Sequence, residues 1–530
     1  MHIRTTAHRP QLARIAPGSF AVAASIYRAE YCMVNFFGGA IEEDRMAYST
    51  DATIQNDLRE FMKAVEGRGE LAHVPNAHWD RELGAVTEVL YRQKVEKSPM
   101  LLFDDIAQYP KGYRCAYGMF GSPYRLSLVL GMEPSLSDNR KDMLDHFRKH
   151  IKKGFRQIAP KFVSEGPVLE NIQRDGEVDM LKFPVPIHHE DDGGRYIGTA
   201  CGVVTQDPDT GRINVGTYRV QVKTRDTCAS YISNGKQGRI HRDKYLKAGK
   251  PCPVVIIVGC DPITYLAAGY TMPDSMPEYE WTGGLMERPA ELIKGEVTGL
   301  PFPARSEIVM EGEILPNETT LEGPFGEWHG YYAGEAKDEP LIRIKRIYHR
   351  NNPILTCAAS QKPPHSHLFE RCFLRSAALL DALEGAGIPD VKGAWLHQAG
   401  GGRTFCVVSV KQRYFGHSTQ VGLVASQVAS VGYISRWIVV VDDDVDPTDI
   451  QDVIWAMGTR CDPKTRTTIL DHCWSSRLDT LVTDYSRLYN TRMVIDACRP
   501  YEQLDTFPKV CQSSPELAAQ VRAKYPELYR

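Results

Sequence analysis

Between Pro160 and His349 the chain divides its apolar residues into short β-branched or aromatic runs. They fall at Tyr196–Val204, Arg212–Lys223, Val254–Val258, Ser306–Ile314 and Leu341–His349, each closed by Pro, Gly or Asp clusters. Short strands separated by turns predict a barrel or sandwich. The flanks read differently. Leu58, Phe61, Met62 and Val65 share one face of a helix that begins near Asp57. From Val86 to Gly131 helical pieces alternate with apolar runs expected as strands, Met100–Phe103 and Leu126–Leu130, and a helix follows over Asp138–Phe155. Residues 371–500 return to alternation, with strands at Thr404–Val410 and Trp437–Val441 and helices near Phe373–Glu384 and Thr419–Ala429. The expected organisation is an N-terminal extension (1–50), an N-terminal α/β domain (51–160), a central β domain (161–365), a C-terminal α/β domain (366–505) and a final helix (506–530).

At 530 residues the chain is long enough for several buried cores. A net charge of −3 argues against general affinity for nucleic acid or an anionic membrane. No apolar run approaches the ~20 residues needed to span a bilayer. The 13 cysteines form no C-x-x-C pair, so they read as small buried residues in a reducing compartment. Residues 1–29 carry four arginines and no acid, which fits a transit peptide, an upstream start or a loose extension. We read the protein as cytoplasmic. There is no P-loop, G-x-G-x-x-G, G-x-S-x-G or H-E-x-x-H, and Gly400–Gly402 reads as a plain loop.

The most chemical segment is Leu321-Glu322-Gly323-Pro324-Phe325-Gly326-Glu327-Trp328-His329-Gly330-Tyr331. Proline and glycine disfavour a helix here, so a turn can aim Glu322 and Glu327 into one cleft. There, burial and repulsion would separate their pKa values, leaving one carboxyl to carry a proton. Two solvated glutamates beside a surface turn would look the same. Upstream, Asn214–Gln221 alternates at strand period, with Asn214, Gly216 and Tyr218 facing one way and Val215, Thr217 and Arg219 the other. An inward Arg219 would need an anion, either a ligand or Glu322. Asp192-Gly193-Gly194 is a turn or a close backbone approach. Asn214, His241 and Glu278 offer donors suited to Mn²⁺ or Mg²⁺, although so wide a spacing is no metal motif.

The order of these pieces resembles the UbiD family of prenylated-FMN-dependent decarboxylases. The matching stretches are Asp192–Ile197 with Thr199, Asn214–Gln221, His241, Met272-Pro273 with Glu278 and Gly283, Leu321–Tyr331, Val441–Asp446, and Trp455-Ala456 through Pro463. The resemblance runs from about Asp57 to Cys498. It implies a split β-barrel-like flavin-binding domain between two α/β domains, the C-terminal one serving oligomerisation. It further implies prenylated FMN, with Asn214, His241 and Glu278 holding Mn²⁺ or Mg²⁺ at the flavin phosphate and K⁺ nearby. Thr199, Thr217, Arg219 and Met272 would line the cofactor. Arg219, Glu322 and Glu327 match the family's catalytic network, in which Glu327 protonates the carbon after CO₂ leaves and Arg219, paired with Glu322, holds the substrate carboxylate.

The implied activity is reversible, non-oxidative decarboxylation of an aromatic or heteroaromatic acid. The implied partners are that acid, CO₂, a flavin prenyltransferase and a second copy of the chain. Tyr218, Tyr270, Trp281, Phe325 and Trp328 would suit a flat ring, or equally a core. Cinnamate-like acids, an oxidoreductase using unmodified FMN and a non-catalytic cofactor carrier are the alternatives. Two stretches depart from the family pattern. His365-Ser366-His367 follows Pro363-Pro364 where an acid is expected, near substrate entry, and its histidines would act on a phenolic substrate or support the fold. Ser475–Thr480 is expected to be a loop of lesser consequence.

Overall fold

The computed structural model describes residues 56–93, 97–152, 155–270 and 275–529; the expected extension and Met272 lie outside them. Asp57 caps the helix Leu58–Gly67 by accepting the Glu60 N–H at 2.9 Å, and Leu58, Phe61, Met62 and Val65 are its buried stripe. This helix covers one face of a four-stranded sheet, ordered Leu71–Pro75, Met100–Asp104, Arg114–Tyr117, Ile354–Cys357. Side chains alternate across it: Met100 and Leu102 join the helical layer, Leu101 and Phe103 the opposite one. The fourth strand lies within the segment expected to be central, yet it pairs in parallel with Arg114–Tyr117 and so completes the N-terminal sheet. Leu126–Leu130 is not a strand. Ser122 accepts the Arg125 N–H at 3.2 Å and Pro123 occupies the first turn, so most of that run belongs to the helix Pro123–Val129.

The central sheet has nine strands in antiparallel pairs. Its order is Tyr196–Gly198, Val220–Val222, Thr227–Ser230, Lys337–His349, Ile308–Glu322, Cys252–Val258, Cys201–Gln206, Ile213–Gly216, and Asn171–Arg174 pairs with Lys337–His349 off that path. This order forces curvature. Ile213–Gly216 lies six strand positions from Val220–Val222. Six spacings in a flat sheet are ~29 Å, whereas the chain from Gly216 to Val220 reaches at most ~14 Å. The sheet therefore curls into a half-barrel, and Thr199 and Thr217–Arg219 cross the seam between its edges. The expected continuous alternation over Asn214–Gln221 fails here, because these residues belong to two strands at opposite edges.

The C-terminal sheet is ordered Val391–Leu396, Phe405–Val410, Trp437–Asp442, Tyr489–Ala497, Thr467–Trp474. Helices Phe369–Gly385 and His417–Gln427 pack on one face through Val408, Ile438 and Val440, and Ile450–Arg460 packs on the other through Val407, Val439 and Val441. Phe369, Phe373 and Trp395 also join the layer under the N-terminal sheet, which ties the C-terminal part to it. The whole is a multidomain α/β fold around one curled antiparallel sheet.

Candidate active site

Glu322 ends the strand Ile308–Glu322 and pairs in register with Lys337, so the sheet fixes its position. Arg219 immediately precedes Val220–Val222 at the seam. Its guanidinium donates to Glu322 in a fork, Nε to Oε1 at 2.7 Å and Nη2 to Oε2 at 2.9 Å, while Nη1 donates to Glu327 Oε1 at 3.0 Å. Glu327 sits in the loop that follows, held by its N–H to the Tyr331 carbonyl at 3.0 Å and by the Gly330 N–H to its own carbonyl at 2.8 Å. The loop's start is pinned by the Gly323 N–H to Gln221 Oε1 at 3.1 Å and by the Gly193 N–H to the Pro324 carbonyl at 2.8 Å. Asp192-Gly193-Gly194 is thus a close approach of two backbones.

The two carboxylates differ. The Glu322 side chain is 1% exposed and that of Glu327 is 18% exposed, so only Glu327 is open to a reactant. Burial raises the Glu327 carboxyl above its ordinary range, against the opposing charge and hydrogen bond of Arg219. Burial lowers the Arg219 pKa, but the Glu322 hydrogen bond and charge outweigh it and raise the guanidinium overall, which stays charged. Arg219 also lies over the rings of Tyr231 at 5.0 Å and Phe325 at 5.6 Å.

A cavity of about 240 Å³ opens beside this network. Thr199, Thr217, Arg219 and Glu327 line it, with Tyr218, Tyr270, Phe325 and Trp328 supplying flat surface. Trp281, expected there, packs in the core with Phe155 instead. Thr199 Oγ1 accepts the Ala358 N–H at 2.9 Å, which anchors the seam to the end of the N-terminal sheet. Leu478 lines the cavity and Arg477 an adjoining recess, so Ser475–Thr480 is not a remote loop: the Leu478 carbonyl accepts from His329 at 2.9 Å. Sequence reasoning gave this segment too little weight, and it missed Tyr231, Tyr265, Glu370 and Arg371 in the cavity wall. The adjacent acid and base at 370–371 were the only signal in the chain.

Asn214, His241 and Glu278 are all buried. Thr205, the cross-strand partner of Asn214, meets His241 Nδ1 through its hydroxyl at 3.1 Å. The carboxylate of Glu278 accepts from the Val215 backbone, next in chain to Asn214. The three donors are thereby brought to one end of the strand Ile213–Gly216. Among the described residues Glu278 Oε2 has no hydrogen-bond partner, and burial pushes the Glu278 carboxyl up to about 7. A buried carboxylate oxygen without a partner fits a cation. Among the described residues no three His, Cys, Asp or Glu side chains cluster as a metal site; this donor set includes an amide.

The rings of His365 and His367 lie 3.9 Å apart, tilted by 38°, and of the two only His367 lines the cavity. His365 Nε2 bonds the Trp328 carbonyl at 3.2 Å. Burial pushes His365 down to about 3 and lowers His367 well below its ordinary value, so both rings are neutral. Burial also pushes the Glu370 carboxyl up to about 7.

Three family models match the chain: the N-terminal, Rift-related and C-terminal domains of 3-octaprenyl-4-hydroxybenzoate carboxy-lyase, over residues 62–140, 161–363 and 371–497. The chain belongs to the UbiD family. It is a carboxy-lyase. A pyrrole-2-carboxylic acid decarboxylase of Pseudomonas aeruginosa is 33% identical over 427 residues, 77% of this chain and 83% of that one. The UbiD-class enzyme HmfF of Pelotomaculum thermopropionicum, solved with FMN, superposes with a TM-score of 0.77 at 28% identity, covering 88% of this chain and 100% of that one. The vanillic acid decarboxylase of Sedimentibacter hydroxybenzoicus gives 0.78 at 28% identity, over 90% and 100%.

Proposed function

We propose that this chain catalyses reversible, non-oxidative decarboxylation of an aromatic or heteroaromatic carboxylic acid with prenylated FMN seated in the half-barrel. The observation that carries this reading is one arginine shared between a buried and an accessible glutamate at a cavity wall. When bound, the cofactor supplies the electron sink that an sp² carbon losing CO₂ requires. HmfF was solved with FMN and, in an evolved dimeric form, with prFMN. Relatives named for pyrrole-2-carboxylic and vanillic acids favour a ring acid over a cinnamate-like one. An FMN oxidoreductase would have no use for a carboxyl held between Arg219 and the cavity.

The residues divide the work. Arg219, held charged and fixed in direction by Glu322, binds the substrate carboxylate and aligns the bond to be broken. Departure of CO₂ leaves the bonding electron pair at the ring carbon, and protonated Glu327 delivers its proton there; in the carboxylation direction Glu327 removes it. Phe325, Tyr270 and Trp328 exclude water and hold the ring flat. Thr199 and Thr217 would border the cofactor, while Asn214, His241 and Glu278 would hold Mn²⁺ or Mg²⁺, with K⁺ near, and the ion would supply positive charge for the cofactor's phosphate. His367, neutral and on the cavity wall, orients a polar ring substituent. A flavin prenyltransferase supplies the cofactor in the cytoplasm.

Glu327→Gln tests the reading. We expect CO₂ release to fall about 10²–10⁴-fold, together with deuterium exchange at the reacting carbon. Undiminished rates of both would remove Glu327 from the proton path.

A further inference from the structure

The loop that carries Glu327 is gripped on both limbs by one short turn. Residues 323–336 connect the strands Ile308–Glu322 and Lys337–His349, whose final pair is Glu322 with Lys337. The first limb is held where the Gly193 N–H meets the Pro324 carbonyl. The second limb is held by a side chain: the Tyr332 hydroxyl donates to Asp192 Oδ1 at 3.1 Å, across 140 positions of sequence. The other oxygen of Asp192 accepts the His188 and His189 N–H groups at 3.2 Å and 3.0 Å. Glu327 lies between the two grips, and its N–H is tied to the carbonyl of Tyr331, next in chain to Tyr332. A carboxylate is a costly choice for position 192. Its side chain is fully buried, and among the described residues its one ion-pair partner is His189 Nδ1, at 4.0 Å. Burial raises the Asp192 carboxyl above its ordinary range, against the His189 N–H first of all. An asparagine would close the same turn without a charge. What a carboxylate adds is a stronger hydrogen bond from the phenol. The second limb needs one, since Tyr331, Gly334 and Glu335 are exposed and apolar packing holds them little.

Taking the decarboxylase reading as its base, we propose that Asp192 and Tyr332 are positioning residues, whose hydrogen bond clasps the loop and keeps the Glu327 carboxyl aimed into the cavity. Neither residue lines the cavity or the recess beside it, so both act through Glu327. Glu327 depends on such support. It accepts one hydrogen bond from Arg219 where Glu322 accepts two, so its direction is set by the backbone that carries it. Misplacement of a catalytic group by ~1 Å costs about 10²-fold.

Hydrogen–deuterium exchange of the full chain reads the clasp without turnover. Tyr332→Phe deletes only the hydroxyl. In it we expect the loop amides, those of Glu327 and Gly330 among them, to exchange about ten- to a hundredfold faster, the size of one hydrogen bond to a charged group. Asp192→Asn keeps a polar partner for Tyr332 and should exchange near the unsubstituted rate, whereas Asp192→Ala should exchange at least as fast as Tyr332→Phe. Turnover is measured on flavin-loaded protein with pyrrole-2-carboxylate or vanillate, whichever the unsubstituted protein decarboxylates. Tyr332→Phe should lower kcat about ten- to a hundredfold with KM unchanged. It should also raise the solvent deuterium isotope effect on kcat, because a misaimed proton transfer becomes the slow step. A merely looser fold would lower kcat and leave the isotope effect alone. Joined to Glu327→Gln, Tyr332→Phe should slow the reaction no further. Unaltered loop exchange in Tyr332→Phe would overturn the clasp, and an equal loss of rate with and without the Glu327 carboxyl would overturn the positioning role. If Asp192→Ala fails to fold, Tyr332→Phe and Asp192→Asn decide the matter. Faster loop exchange in a protein whose CO₂ release ignores Glu327→Gln would sink the decarboxylase reading of Glu327 and leave the clasp standing.

Discussion

One guanidinium serves two glutamates, and the asymmetry between them sets a pH dependence. Glu322 takes the bidentate end of Arg219 and is closed to solvent, while Glu327 takes a single bond and faces the cavity. Burial raises Glu327, Arg219 opposes it, and the negative charge of Glu322 raises it further. Because the folded state holds that proton more tightly than the unfolded chain, this contribution to stability is complete below the ordinary carboxyl range. It is lost as pH rises through the raised value. The decarboxylation rate, which needs protonated Glu327, should fall over the same rise. Glu322→Gln removes the like charge and leaves Arg219 less neutralised, and both changes lower the Glu327 pKa. The alkaline limb of the kcat–pH profile should therefore move to lower pH in this variant, whatever happens to its height. A limb that stays put or moves upward would mean that another group titrates there.

At the scale of elements, the seam of the half-barrel and the loop after Glu322 are locked by contacts too close for a side chain. A Cβ on Gly193 would sit 1.9 Å from the Gly323 carbonyl oxygen and 2.4 Å from its carbon, both backbone atoms. Gly193→Ala must therefore displace the loop that carries Glu327, although Gly193 itself touches no reactant. Misplacement of a catalytic group by ~1 Å costs about 10²-fold, so we expect kcat/KM to drop by that order with the melting temperature little changed. Equal activity would show that the loop tolerates the shift. The sequence reveals such elements unevenly. The helix at Leu58 follows from its apolar period, and the strand at Met100 from a short apolar run. Leu126–Leu130 misleads because apolar period cannot separate a short buried helix from a strand, and Ser122-Pro123 decides it. The alternation over Asn214–Gln221 misleads because strand order is a long-range property. Thr217, Tyr218 and Arg219 all reach the cavity since the chain leaves one edge for the other. Arg219 with Glu322 and Glu327 was legible through family order, whereas Leu478 comes to the cavity only through tertiary packing.

At the scale of the molecule, among the described residues, the C-terminal sheet leaves an apolar edge uncovered. Thr467–Trp474 is its edge strand and presents Ile469 at 60% and Trp474 at 46% exposure. Leu481 at 70%, Tyr485 at 48% and Tyr489 at 41% continue the patch along the connection back to Tyr489–Ala497. An apolar edge of this length invites pairing with another chain, and a stable dimer needs about 800 Å² from each partner. We propose a second copy of the chain as the occupant of this edge. That same connection carries Arg477 and Leu478 into the active site, with the Leu478 carbonyl fixed by His329 at 2.9 Å. Pairing at the edge would therefore hold one wall of the cavity in place. Replacing Ile469 and Trp474 together by Asp should convert a dimer to a monomer by light scattering and raise KM, since the loop loses its support. A double variant of unaltered mass would place the interface elsewhere; a monomer with undiminished kcat/KM would show that the Leu478 loop needs no support from a partner.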